Sequence, residues 1–414
     1  MTPRQRIIRA LNHSPVDRIP IDFGGHRSSG IMASAYADLK KALGISSGDI
    51  YVYDVIQQLA IIEEPVLEAF QVDVVEMGRG FLLDEKDWQD RRLPDGRPCK
   101  IPAYITIENT AQGNFLLNDK GVRVGVQKPG CLYFETLVYP MANRDFEHET
   151  FGDLEAMEEL VMWGVAPHPG GHIPLNDDGL EELKRGAKAL RESTDRAIFG
   201  LFGGSLFEGS QNLFRADHFM TYLMMYPDKV HQLLELLCDR YLRDLELWIS
   251  AVGPYIDIIG FGDDFGGQTG PLISPATYRE FFKPYHKRMW RRVRELSNLK
   301  INLHCCGAIE PLLDDLIDAG VNAINPVQIS SRGMDTALLK ENYGDRLCFW
   351  GGGCDTQSVL PDGTPEEVKS HVKHQVEILG QNSGHVFQQV HNIMANVPPE
   401  NIIAMFQAVH SFTT

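Results

Sequence analysis

The sequence predicts an α/β fold: a single (β/α)8 TIM barrel over residues 1–414, with a β-rich insertion at about residues 88–145. Three observations carry this expectation. Apolar strand-like runs recur along the chain, and most are followed by a helical pattern, the rhythm of a parallel sheet wrapped by helices. No GxGxxG or Walker motif follows any of them, so an open nucleotide-binding sheet has no specific support. One stretch breaks the rhythm, rich in Gly, Pro, Asn and Asp and poor in helical periodicity.

In chain order the strand runs are Arg18–Phe23, Val72–Met77, Ala197–Phe202, Tyr255–Gly262, Leu299–His304, Val321–Pro326, Arg346–Gly352 and His385–Val390. Eight such runs suit a closed barrel. The helices are better marked. Thr2-Pro3 caps and opens the first. Asp228–Val252 carries an apolar stripe through Val230, Leu233, Leu234, Leu237, Tyr241 and Leu245. Ser274-Pro275 opens another, which runs through Tyr278, Phe281, Phe282 and Tyr285 despite Pro284. Gly307 to Gly320 reads as an amphipathic helix. Thr364-Pro365-Glu366-Glu367 is a capping-box-like start for a helix to about Leu379, and Pro398-Pro399 opens the last. Within the irregular stretch, hairpin-like sequences at Leu117–Val122 and Lys128–Cys131 predict β structure placed to cover the barrel mouth.

Bulk properties exclude several classes. Hydrophobic residues make up 43% and charged residues 23%, ordinary for a soluble enzyme. The net charge of −17, from 56 acidic against 39 basic side chains, opposes nucleic-acid binding and docking to an anionic membrane. No apolar run approaches the roughly 20 residues that span a bilayer. The opening Met-Thr-Pro-Arg-Gln-Arg is not a signal peptide, so a cytoplasmic protein with reduced cysteines is expected. In that setting a Cys beside a His reads as metal-binding or catalytic rather than as half of a disulfide.

The chemistry concentrates in His304-Cys305-Cys306-Gly307, at the C-terminal end of a strand, where barrels build active sites. Two residues apart on extended backbone, His304 and Cys306 point the same way and Cys305 points away. Imidazole nitrogen and thiolate sulfur suit zinc rather than magnesium or calcium. His391, Cys354, Glu208 and Asp264 are the available completions of the site. One close pair with distant partners fits a catalytic zinc with an open position. Other strand ends supply Asp22, His26, Arg27, Glu76, Asp263, Gln268, Asn325 and Gln328. Asp263 and Asp264 are candidate catalytic groups. His26, Arg27, Gln268 and Asn325 are candidate substrate contacts, with Arg27 as a grip on a carboxylate. Each has a plainer reading: Cys354 as a small buried residue in a glycine-rich turn, the Asp pair as caps, and His26 and Arg27 as loop fixtures.

Several short motifs, in order, identify a family. They are Phe261-Gly-Asp-Asp-Phe-Gly-Gly-Gln-Thr-Gly-Pro-Leu-Ile-Ser-Pro275, His304-Cys-Cys-Gly307, Asn325-Pro-Val-Gln328, Trp350-Gly-Gly-Gly-Cys-Asp-Thr-Gln357, His391-Asn-Ile and Val397-Pro-Pro-Glu-Asn401. The chain resembles the uroporphyrinogen decarboxylase superfamily, and within it the zinc- and corrinoid-linked methyltransferase-like branch. The resemblance implies a (β/α)8 barrel that often pairs as a homodimer. The decarboxylases proper carry an arginine-rich N-terminal signature for porphyrinogen acetates. Here that region reads Ile21-Asp-Phe-Gly-Gly-His-Arg-Ser-Ser29, and a single Arg27 survives. In the methyltransferase branch zinc is held by His-x-Cys-Gly and by a late Cys before a Pro-rich segment. The first part matches His304, Cys306 and Gly307; the late position falls on His391, a change from Cys to His.

The resemblance thus implies methyl transfer between a small methyl donor or acceptor (an ether, an amine or a thiol) and the cobalt of a corrinoid, methylcobalamin in its methylated state. No Asp-x-His-x-x-Gly cobalt-ligand motif is present, so a partner corrinoid protein would supply that cofactor. The harder two-His, one-Cys set favours an oxygen or nitrogen substrate. Two other expectations stay open. One is a metal-free decarboxylase or lyase that uses Asp263 or Asp264 with Arg27 on a small carboxylated substrate. The other is a barrel kept as a binding subunit.

Overall fold

In the computed structural model, which describes residues 1–412, seven parallel strands form one curled sheet. They are Val74–Glu76, Ala197–Gly203, Ile258–Gly262, Lys300–His304, Ala323–Asn325, Cys348–Trp350 and His385–Val386, each paired to the next in chain order. Helices separate most of them, as parallel neighbours require a crossover. Apart from Ala197–Gly203, the strands are shorter than their apolar runs, which continue into the adjoining loops.

The first expected strand, 18–23, is not an extended strand. Its pairing is limited to isolated bridges, among them the parallel bridge of Ile21 to Phe387. The reason is chemical: Pro20 has no N–H to offer, and the Ile21 N–H donates to the Asp73 carboxylate. Segment 20–22 still reaches both edges of the sheet. Asp22 N–H donates to Phe387 O, Phe387 N–H to Pro20 O, and Asp73 N–H to Ile21 O, all at 2.8 Å.

The helix Pro3–Leu11 begins with a complete capping box between Thr2 and Gln5. Ile7, Ala10 and Leu11 from this helix pack against Val74, Ala197, Ile258, Ala323, Cys348 and Val386, and so plug the N-terminal end of the sheet. Ion pairs of Arg6 with Asp73 and Arg4 with Asp257 fasten the plug. The helix expected to run from Ser274 through Pro284 is broken by a π turn at Tyr278–Phe282 before it continues as Lys283–Leu296. Pro284 lacks the N–H that a regular turn would use there. The helix expected from Gly307 starts only at Leu313, after a 3-10 turn at Glu310–Leu312, because Gly307 is left-handed at φ +85°.

Residues 88–136 form antiparallel sheets of two and four strands. Among the described residues, no helix is long and apolar enough to cross a membrane. All seven cysteines are free thiols.

Candidate metal centre and its cavity

The strand Lys300–His304 delivers His304 to the C-terminal edge of the sheet, and the chain then turns at Cys305-Cys306-Gly307. Cys306 Sγ lies 3.4 Å from His304 Nε2. Cys305 faces the opposite way, 1% exposed, its sulfur accepting the Phe265 N–H. Two glycines make this turn possible. A Cβ on Gly307 would lie 2.4 Å from the Gly266 carbonyl carbon, and one on Gly266 would lie 2.2 Å from Cys306 O. The 264–267 loop therefore lies directly on the ligand loop.

His391, which follows the strand His385–Val386, completes a group. Among the described residues, one set of three metal-competent side chains closes to within 4.8 Å: His304, Cys306 and His391. The 3.4 Å sulfur–nitrogen separation is near the tetrahedral edge of about 3.5 Å expected for zinc bonded to sulfur and imidazole. The residues present thus fit a zinc ion, though their three arms differ in readiness.

His304 is fully prepared. Asn325 Oδ1 accepts from His304 Nδ1 at 2.8 Å, which leaves Nε2 with its lone pair toward Cys306. Asn325 is itself fixed, donating to Trp350 O and Gln388 Oε1 and accepting from Ser28 Oγ at 2.6 Å. His26 Nδ1 lies 2.9 Å from Ser28 Oγ and accepts the Ser28 N–H at 3.4 Å. Asp22 closes the chain 3.2 Å from His26 Nε2, and Trp350 Nε1 donates to the same carboxylate.

Cys306 is a neutral thiol in this setting. Burial and the nearby Asp264 and Glu208 carboxylates hold its pKa well above the ordinary range, so ionisation would accompany metal binding. His391 is the weaker arm. Its Nδ1 accepts the Asn392 N–H at 2.8 Å, and ligation through either ring nitrogen would cost that contact. Burial and the His304 charge push its pKa down to about 3, so the ring is neutral.

His304 and His391 line a cavity of about 590 Å³. Trp163, Phe199, Phe202, Tyr241 and Phe261 supply its aromatic wall. Glu208 and Asp264 face the same space; Glu208 Oε2 accepts the Asp264 N–H, and Asp264 Oδ1 accepts the Cys306 N–H at 2.7 Å. Burial and the Asp264 and Asp263 charges push the Glu208 carboxyl up to about 8. Asp264 Oδ1 is 3.7 Å from His304 Nε2, beside the three-residue group rather than in it. A larger open groove, about 1290 Å³, lies at the other end of the sheet around Arg4, Ile8 and Leu299 and holds none of these groups.

Other expected residues lie elsewhere. Asp263 is fully buried and turned from the cavity; it accepts from the Leu206, Phe207 and Glu208 N–H groups and faces His286 Nε2. Those contacts make it the cap of the helix Phe207–Phe214. Cys354 is fully buried, with its thiol directed to Asp355 O, and is outside the three-residue group. Gln268 is exposed and does not line the cavity. Arg27 lines it but is already held by Asp54 at 2.6 Å and by Ala166 O. His26 and Asn325 act through the chain that orients His304.

Sequence reasoning missed His168, paired with Glu76 at 3.2 Å on the cavity wall, and Asn302, one alternation before His304. His168 sits on an irregular segment with no periodic signal. The two-residue spacing to His304 was the available signal for Asn302.

Residues 176–412 match the family model for uroporphyrinogen decarboxylase (URO-D). The chain belongs to that family. Curated family relatives include the uroporphyrinogen decarboxylase of Pseudoalteromonas translucida, 27% identical over 192 residues, 45% of this chain and 49% of the relative. That of Chlorobaculum tepidum is 28% identical over 191 residues, 45% of this chain and 50% of the relative. The aligned region thus spans about half the length of these relatives. Among solved structures, a methyltransferase from Methanosarcina mazei shares the fold at a TM-score of 0.58 and 18% identity, with 100% of this chain and 99% of that one covered.

Proposed function

We propose that this family member is a zinc-dependent methyltransferase. It moves a methyl group between a small substrate or acceptor and the cobalt of a corrinoid carried by a separate protein. The observation that carries the reading is the convergence of His304, Cys306 and His391, with both histidines lining an aromatic-walled cavity. The name of the structural neighbour agrees with it. We read the whole chain as one (β/α)8 barrel domain, with segment 20–22 in the eighth strand position and residues 88–136 as an insertion.

Zinc bound here would supply a Lewis acid for the heteroatom that bears or receives the methyl group. The chain's own groups do the rest. Asn325 holds the His304 ring with Nε2 forward. Asp264 fixes the Cys306 backbone, and so the position of the thiol. The Glu208 carboxyl, facing the same space, can give a proton to a heteroatom left negative when its methyl departs.

The names of the curated relatives favour a second reading, decarboxylation of a carboxylated substrate without a metal. Its expected grip, Arg27, is already occupied by Asp54. Metal analysis separates the two. The methyltransferase reading expects about one zinc per chain in the purified protein, lost in His304→Ala and Cys306→Ala, and methyl exchange with a corrinoid. No zinc in the wild type after supplementation would sink it.

A further inference from the structure

The strand that carries His304 also carries Asn302, and residues two apart share a face. Asn302 therefore points into the sheet interior below His304, where it lines the cavity. Its neighbours in register are Gly260 and Ala323, which leave its carboxamide uncrowded. Gly260 cannot carry a side chain, since a Cβ there would lie 2.4 Å from the Phe199 ring. Phe199 and Leu201, on the neighbouring strand, line the same cavity and belong to the apolar sheet interior. Asn302 is only 2% exposed, and its Nδ2 has no hydrogen-bond partner. A buried amide donor in an apolar floor costs free energy unless something accepts from it.

We propose that Asn302 is a specificity-determining residue: its carboxamide donates to an uncharged oxygen of the substrate, a hydroxyl, ether or carbonyl. This rests on the methyltransferase reading of the cavity and names the class of molecule it takes. Charge decides against an anion. Arg27 is neutralised by Asp54, Asp264 lines the space, and Asp22 and Glu76 back His26 and His168. At the Asn302 floor a carboxylate would find no unpaired cationic side chain to offset its desolvation, since Arg27 is taken by Asp54. A quaternary ammonium would suit the Asp264 charge but gives Asn302 nothing to bond. A neutral oxygen satisfies both.

The test uses zinc-supplemented full-length protein labelled with ¹⁵N-asparagine and three probes: N-methylacetamide, acetate and tetramethylammonium. The Asn302 side-chain signal is the one missing from both Asn302→Leu and Asn302→Ser. N-methylacetamide is expected to shift that signal saturably, and the variants are expected to bind it at least tenfold more weakly at unchanged zinc content. Acetate and tetramethylammonium are expected to leave the signal in place. The proposal is overturned if N-methylacetamide does not move the signal, if acetate or tetramethylammonium moves it as much, or if the variants bind as the wild type does. Zinc content is read on the same samples, so loss of the metal reading and loss of the Asn302 reading are distinguishable. Should neither variant fold, Asn302→Asp supplies the assignment, and the probe ranking in the wild type still decides.

Discussion

Asn325 Oδ1 lies 2.8 Å from His304 Nδ1 and decides which ring nitrogen faces the cavity. The bond spans two adjacent parallel strands, whose register places His304 beside Asn325. Removing it frees the ring to rotate and to exchange tautomers. Asn325→Ala is expected to weaken zinc binding about 10- to 100-fold, the usual cost of losing such an outer partner. Chelator competition measures it; an unchanged affinity would show that the ring is held by something else.

The three ligand arms are not equivalent. His391 gives up its Asn392 contact to bind a metal, whereas His304 and Cys306 face each other ready-made. His391→Ala is therefore expected to retain measurable zinc under conditions where His304→Ala and Cys306→Ala retain none. Equilibrium dialysis against graded zinc separates the cases, and equal losses in all three would refute the ranking.

Asp263 and Asp264 are neighbours with different work. Asp263→Asn sets an amide against three backbone N–H donors and is expected to cost about 2–3 kcal/mol of stability. Asp264→Asn keeps an acceptor for the Cys306 N–H and is expected to change stability by less than about 1 kcal/mol while lowering activity. Urea unfolding of the two variants, with an activity assay beside it, provides the comparison.

Stability should fall in mild acid. His385 is 1% exposed, donates through Nε2 to Gly351 O, and has no partner for Nδ1. Burial, helped by the Lys340 charge, pushes its pKa down to about 3. The folded state thus binds fewer protons than the unfolded chain between the ordinary value of about 6.5 and 3. Its contribution is present above pH 6.5 and is lost as pH falls, by up to about 1.4 kcal/mol per unit. His391 pulls in the same direction. His385→Asn should flatten the dependence of unfolding free energy on pH between 6.5 and 4; an unaltered slope would exclude this source.

Much of the parallel sheet was legible because buried parallel strands read as apolar runs, as Ala197–Gly203 and Ile258–Gly262 do. The run at 18–23 misled because Pro20 and the Asp73 carboxylate divert its hydrogen bonds, a long-range effect that periodicity does not encode. At the site, His304 and Cys306 were readable from a two-residue spacing. Asp263 could not be told from Asp264 by sequence, since the difference is which way a loop turns. Arg27 looked free because its partner, Asp54, lies 27 positions away on another segment (54 − 27). Asn302 was within reach of the same alternation that gave Cys306, but it carries no metal chemistry to draw attention.

The contact between Gly266 and Gly307 has a mechanical side. With no side chain to act as a cushion, the two loops share one backbone seam, and neither can slide without carrying the other. Asp264 sits on one side of the seam and Cys306 on the other, joined also by the Cys306 N–H. A nudge from a substrate against Asp264 would therefore be felt at the sulfur, so occupancy of the cavity and the pose of the thiol are transmitted through a single joint.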